Sequence, residues 1–299
     1  MKEHYIPQDQ FPLEVTPGIR VLGNYFFNLI LVSGTQKSVL FEVGISGMID
    51  QVIEQLDFLG VKLDYIIPSH PHSDHMTGLP GLMDRFPMAE IIVAMGARKF
   101  VNHPKAGPAL IKEDAFMSQG LIKMGITPGR PPLERIPNLN QARIIEKETA
   151  LDLGGGTILN LIPVQGHSPG NLIAHVPGGQ AVFCSDSLGF HYPGRAFWPL
   201  FFTNANAYVD TIDLIASLEP RIICPAHQGP IMGSAVQEGL NTARQTTLDM
   251  VDRIKHTQLT DDQLIQELFE ESYVDEFTLY TESNIENCTR LLLKRAREE

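Results

Sequence analysis

Four side chains that bind metal ions stand close together in Ser69-His70-Pro71-His72-Ser73-Asp74-His75, directly after a strand-like run from Leu63 to Ile67. Further along come His167 in Gly-His-Ser-Pro-Gly, Asp186 in Cys-Ser-Asp-Ser and His227 in Pro-Ala-His-Gln-Gly, each after another short β-like segment. Alternate residues of an extended chain face the same way, so His70 and His72 can address one point, while the adjacent Asp74 and His75 reach a second. The donors therefore divide between two divalent ions. His70, His72 and His167 fall on one, Asp74, His75 and His227 on the other, and Asp186 bridges them through its two oxygens. Imidazole and carboxylate suit zinc, iron or manganese, and no Cys ligand singles out zinc. A lone His-x-His is more often two unrelated histidines, but a full set at strand ends asks for one common explanation. Gly166, Gly170 and Gly229 fit tight turns around such a site.

Such a site performs hydrolysis. Two divalent ions bring a shared water toward neutral acidity, which supplies a bridging hydroxide as nucleophile, and one ion polarises a substrate carbonyl. Asp74 is the candidate catalytic residue, orienting the hydroxide and then carrying a proton to the leaving group. Cys184, two residues before Asp186, and Cys224 read as core rather than as nucleophiles.

The elements that must position these residues follow from spacing. Strands are expected at Val21 to Gly23, Phe26 to Val32, Ser38 to Val43, Leu63 to Ile67 and Glu90 to Ala94. Helices are expected over Met48 to Leu59, where Ile49, Val52, Ile53, Leu56 and Leu59 repeat at helical spacing, and over Gly78 to Arg85. A second half begins near Ala142, with strands at Ala142 to Glu146, Thr157 to Val164, Leu172 to Val176, Ala181 to Cys184 and Arg221 to Cys224. A turn at Pro177 to Gln180 and a helix over Ala207 to Leu218 belong to it. Two halves of this kind predict two facing sheets with helices outside, an α/β sandwich. Residues 1–233 then form the catalytic domain, interrupted by a Pro-rich insertion at about 100–137 with a helix around Ala109 to Met124. Residues 234–299 read as a helical extension covering the site. Its helices are signalled by Ser234 with Gln237, Thr260 with Gln263 and Ser283 with Glu286, and Ile285, Cys288, Leu291 and Leu292 share one face of the last.

Composition narrows the partners. The chain has 299 residues, 43% hydrophobic and 19% charged, and a net charge of −12, which disfavours nucleic acid. Nothing reads as a membrane span or a signal peptide, and three cysteines with no paired spacing argue against a disulfide framework, so a cytoplasmic location is expected. The expected partner is a small-molecule substrate, with a homodimer as an alternative role for apolar surface.

The set His70 to His75, His167, Asp186 and His227 resembles the metallo-β-lactamase superfamily, whose His-x-His-x-Asp-His signature it reproduces. The resemblance covers about Val21 to Gly229. It implies a four-layer αββα sandwich and a dinuclear hydrolytic site, with zinc the usual metal and iron or manganese as alternatives. One departure is Glu42 in Phe-Glu-Val-Gly, where many members carry Asp-x-Gly. Leu79 to Leu82 resembles the tRNA 3′-processing nucleases, but the acidic charge argues against RNA. Hydroxyacylglutathione hydrolases share the seven ligands. Glu42 to Ser46, Ser185 to Gly189 and the tail from Arg290 to Arg295 resemble the thioesterase-like quinolone-signal response proteins, which implies an ester, thioester or lactone substrate, aromatic or acyl-CoA-like. The alternatives are a mononuclear iron enzyme similar to the persulfide dioxygenases, or a regulatory protein that keeps the fold and acts through a partner. Phe190, Tyr192, Arg195, Phe197 and Trp198, in an aromatic loop just beyond Asp186, are expected to wall the substrate pocket, with Arg195 facing an anionic group.

Overall fold

The structure is a computed structural model that describes residues 5–126, 129–192 and 197–298. The first half runs β1 (Leu13–Thr16), β2 (Ile19–Gly23), β3 (Asn28–Ser33), β4 (Ser38–Phe41), α1 (Ile49–Phe58), β5 (Tyr65–Ile67), α2 (Leu79–Arg85), β6 (Glu90–Ala94), α3 (Ala97–Val101), α4 (Ala106–Lys123) and β7 (Arg143–Ile145). The second runs β8 (Thr149–Asp152), β9 (Ile158–Val164), β10 (Asn171–Val176), β11 (Ala181–Phe183), a ribbon of β12 (Phe190–His191) and β13 (Phe197–Trp198), α5 (Ala205–Ser217), β14 (Ile222–Cys224) and β15 (Ile231–Met232). Three helices follow, α6 (Ala235–His256), α7 (Asp261–Ser272) and α8 (Glu282–Arg297).

Strands β1 to β7 form one sheet in sequence order, antiparallel as far as β4 and parallel from β4 to β7. The second sheet has the order β15-β14-β11-β10-β9-β8, with β11 and β14 parallel. The central strands bury both faces, which is why β3 is apolar almost throughout rather than alternating with polar residues. Ile30, Val32, Phe41 and Ile67 point inward and meet Leu159, Leu161, Ala174 and Phe183 of the facing sheet. Their neighbours Leu29, Leu31, Leu40 and Ile66 point outward into a second core that holds Ile49, Val52 and Leu56 of α1. On the other side Ile173, Val182 and Ile223 pack with Ile212 and Ile215 of α5. The layers are therefore helix, sheet, sheet, helix.

The parallel strand pairs bring their carboxyl ends to one edge of the sandwich. His70 to His75 follow β5, His167 follows β9, Asp186 follows β11 and His227 follows β14. Backbone bonds lock these loops across the two sheets: Leu172 N donates to Ser69 O at 2.8 Å and Asn28 N donates to Ala226 O at 2.7 Å.

Several expected elements shift. β1 and β8 add edge strands beyond those expected: β1 alternates Leu13-Glu14-Val15-Thr16 over only four residues, and β8 has no apolar alternation. β3 begins at Asn28 rather than Phe26, because the amides of Phe26 and Phe27 donate to the Asn24 side chain in a turn. The Thr260–Gln263 capping box is present, but Ser234 makes no capping bond. Thr281, not Ser283, caps α8. No helix of the described residues is long and apolar enough to cross a membrane.

Gly166 shows how closely the elements approach beside the site. Its φ is +102°, and an added Cβ would lie 2.3 Å from the Tyr208 backbone at the start of α5. Gly166→Ala is expected to destabilise the fold by about 2–5 kcal/mol, read from the shift of the urea unfolding midpoint. An unchanged midpoint would show that α5 does not depend on this contact.

Candidate metal centre

Three ring nitrogens converge at the first point. His70 Nε2 lies 2.9 Å from His72 Nδ1, and His167 Nε2 lies 3.1 and 3.2 Å from those two atoms. At the second point His75 Nε2 and His227 Nε2 lie 3.1 and 3.5 Å from Asp74 Oδ2. Asp186 stands between the groups, its Oδ2 3.5 Å from His167 Nε2 and 3.3 Å from His75 Nε2, and its Oδ1 3.5 Å from His227 Nε2. Donors around a tetrahedral ion, each about 2.0–2.1 Å from it, stand about 3.3 Å apart, which is the spacing these atoms keep.

Whether the chain fits metal ions can be judged from its own polar atoms. His167 Nδ1 donates to Leu200 O at 2.7 Å and His227 Nδ1 donates to Phe26 O at 2.6 Å, so Nε2 of each ring is turned inward. Nε2 of His75 and His227 and Oδ1 of Asp186 are buried without an aligned hydrogen-bond partner among the described residues. Burial holds the first group neutral: it pushes His70 well below the ordinary imidazole value, His72 down to about 3, and His167 down as well. Neutral rings whose lone pairs face one another repel unless a cation sits among them. The donor set fits two divalent ions, one held by His70, His72 and His167, one by Asp74, His75 and His227, with Asp186 shared.

The second group leans the other way, toward protonated rings. Burial opposes the charged form of His75 and His227, but the surrounding carboxylates outweigh it. Asp74, Glu42 and Asp186 hold His75 well above its ordinary value, and Asp186 and Asp74 raise His227 to about 9. Burial likewise opposes charge on Asp74, yet the neighbouring His75 and His227 keep its carboxyl well below the usual range. Glu42 takes part directly, its Oε2 3.1 Å from His75 Nδ1. Its backbone has a φ of +75°, and Ser185 and Gln228, beside Asp186 and His227, also adopt left-handed φ values of +49° and +60°. Ser185 Oγ meets Ser69 Oγ at 2.9 Å, and Ser69 Oγ in turn meets His70 Nδ1 at 2.9 Å.

A cavity of about 500 Å³ opens over both groups, lined by His72, Asp74, His167, Asp186 and His227 together with residues of α4 and α8. Sequence reasoning missed Tyr280, whose hydroxyl donates to Asp74 Oδ2 at 2.7 Å from the turn before α8. Burial, first, and the nearby carboxylates raise Tyr280 well above the ordinary phenol value, so it remains a donor. No local pattern marks a residue that meets its partner 206 positions away.

Of the aromatic loop, the structure places Phe190 in this cavity, its ring 5.2 Å from that of His227. Tyr192, Phe197 and Trp198 are not there, which corrects the expectation that they wall it. Tyr192 donates to Ser272 O at the end of α7, and the β12–β13 ribbon turns Phe197 and Trp198 toward a separate pocket with Met250 and Arg253 of α6. Arg195 lies outside the described residues. Cys184 and Cys224 are buried, and burial pushes the Cys224 thiol up to about 12 and that of Cys184 well above its usual value, so neither is a nucleophile at neutral pH.

Residues 26–227 match the model of the metallo-beta-lactamase superfamily, and the chain belongs to that superfamily. It is 26% identical over 217 residues to the uncharacterized protein YobT of Bacillus subtilis, covering 67% of this chain and 82% of that protein. It is 26% identical to a hydroxyacylglutathione hydrolase of Ruegeria pomeroyi, covering 73% of this chain and 67% of the relative. In fold it is similar to the crystal structure of the archaeal metallo-beta-lactamase superfamily protein ST1585 from Sulfolobus tokodaii, with a TM-score of 0.59, 20% identity, and 92% and 94% of the two chains covered.

The charge difference between the groups sets their response to pH. His227 keeps its second proton up to about pH 9 in the metal-free fold, so an ion at Asp74, His75 and His227 must displace protons, whereas one at His70, His72 and His167 need not. Because the folded value is raised, the stability that His227 contributes is complete below about 6.5 and is lost as pH rises through about 9. The metal-free protein should therefore lose stability between pH 6.5 and 9 while affinity for the second ion increases. Calorimetric titration in buffers of different ionisation enthalpy should show proton release confined to the second ion, and equal release by both would refute the assignment. Glu42→Gln is expected to weaken metal binding about 10–100-fold, measured by competition with a chromogenic chelator.

Proposed function

We propose that this member of the metallo-β-lactamase superfamily is a metal-dependent hydrolase acting on an ester, thioester or lactone. The observation that carries the reading is the pair of donor groups sharing Asp186 on the wall of a ligand-sized cavity. The Ruegeria relative, by name a hydrolase of a thioester, supports the same class. Two divalent ions, when bound, supply a water acidic enough to attack near neutral pH and an electrophile for the carbonyl oxygen.

The chain's own residues do the rest. Asp74 lines the cavity beside His227, so its carboxylate can orient the attacking water and relay a proton to the departing oxygen or sulfur. Tyr280 fixes the orientation of that carboxylate through its 2.7 Å bond to Oδ2. Phe190 and Phe202 stand with their rings 5.2 and 5.3 Å from those of His227 and His167, and Phe277 packs on Phe190, so apolar rings flank the reacting carbonyl. No side-chain nucleophile is required, consistent with two buried, protonated thiols.

The test is hydrolysis of aryl esters, alkyl thioesters and lactones by protein loaded separately with zinc, manganese or iron. At least one class should be cleaved, and Asp74→Asn should lower kcat about 10²–10⁴-fold. Silence on all three classes with every metal, or oxygen consumption on persulfides in place of hydrolysis, would overturn the reading.

A further inference from the structure

The cavity over the donors is shaped by two helices that lie outside the sandwich. Ala106, Ala109, Leu110 and Glu113 recur at the helical spacing of one face of α4, and Asn284, Cys288, Leu291 and Arg295 do the same on α8. At 1.5 Å per residue the α8 face is about 16 Å long and the α4 face about 10 Å. The two helices are joined at one end, where the Glu113 carboxylate accepts the Thr281 amide at 3.0 Å and also the Thr281 hydroxyl. That end lies beside Tyr280 and hence beside Asp74. At the other end Arg295 Nε donates to Phe202 O at 3.1 Å, and the Phe202 ring is 5.3 Å from that of His167. The space is therefore a slot that runs lengthwise over both donor groups.

Its walls are apolar where they are deepest. Leu110 and Ile285 are buried, and Cys288 and Leu291 are half-buried beside them. Away from the donor groups, the charged side chains along the slot are Glu113, already bonded to Thr281, Arg295, which donates to Phe202 O, and Lys105, which is exposed, where its charge stays in water. Such a slot gains free energy from each methylene it removes from water and offers little to a charged or heavily hydroxylated group.

Resting on the hydrolase reading above, we propose that the substrate is an ester or thioester with an elongated apolar body, a chain of about six to ten carbons, held between α4 and α8. Its carbonyl then lies against the donor groups and its tail along Leu110, Cys288 and Leu291.

The experiment uses the metal-loaded full chain with 4-nitrophenyl esters from acetate to decanoate and with S-alkyl thioacetates of the same lengths. In at least one series kcat/KM should rise about 3–4-fold per methylene until the slot is filled. Ala109→Trp on α4, or Cys288→Phe on the facing helix, should lower the octanoyl-to-acetyl ratio at least 10-fold. Flat dependence in both series, or a preference for S-lactoylglutathione over the octanoyl substrates, would overturn the proposal. A second readout needs no turnover: calorimetric titration of the metal-free protein should bind 1-octanol about 100-fold more tightly than 1-butanol, and Ala109→Trp should remove the difference. If no ester, thioester or lactone is cleaved, the hydrolase reading fails, while octanol binding still decides for or against the slot. Equal binding of the two alcohols overturns it.

Discussion

The rest of this structure depends on keeping carboxylates and imidazoles together out of water. Asp74, His75, His167, Asp186 and His227 are all buried, and an unpaired charge among them would cost several kcal/mol. Pairing solves the problem at the second group, where protonated rings face Asp74 and Asp186 in the metal-free chain. The first group solves it by staying neutral. One constraint thus produces two electrostatically different halves, and Asp186 belongs to both because it sits at their junction.

Holding that arrangement requires backbone from widely separated parts of the chain. The outer nitrogens of His167 and His227 each use a main-chain carbonyl, from Leu200 and Phe26 respectively. Those carbonyls lie in loops that the sheets pin in place, so ring orientation is set by the sandwich itself. The addition formed by α4 and the C-terminal helices supplies a further contact through Tyr280, steadied by the Glu113–Thr281 pair. Neighbouring Asp114 ties the same helix to the Ser46 amide and hydroxyl, so α4 braces the sandwich on one side and the tail on the other.

The clustering of the candidate donors was legible because imidazole and carboxylate side chains carry their own chemistry in their spacing. His70 to His75 stand together in sequence, and His167, Asp186 and His227 each follow a recognisable strand. Helix α1 was legible for a similar reason, since Ile49, Val52 and Leu56 repeat at the period that buries one face. What could not be read was orientation after a turn. The aromatic loop beyond Asp186 has the composition of a pocket wall, yet its ribbon turns Phe197 and Trp198 toward α6 and leaves Phe190 at the donors. Thr281 rather than Ser283 caps α8, and Thr281 is also the residue that Glu113 holds, a partner from far away in the chain. Tyr280 was invisible for the same reason.

Glu42, Ser185 and Gln228 have left-handed backbones, a conformation that glycine adopts freely and other residues pay for with about 1 kcal/mol each. All three stand within a residue of a donor or touch one. Glycine at these positions would relax the main chain, but at two of them it would remove the Glu42 carboxylate from His75 Nδ1 and the Ser185 hydroxyl from Ser69 Oγ. Under selection for thermal robustness alone, these are the places where the sequence would drift toward glycine. Glu42 and Ser185 should resist that drift for as long as their bonds to His75 and Ser69 hold the donors in place.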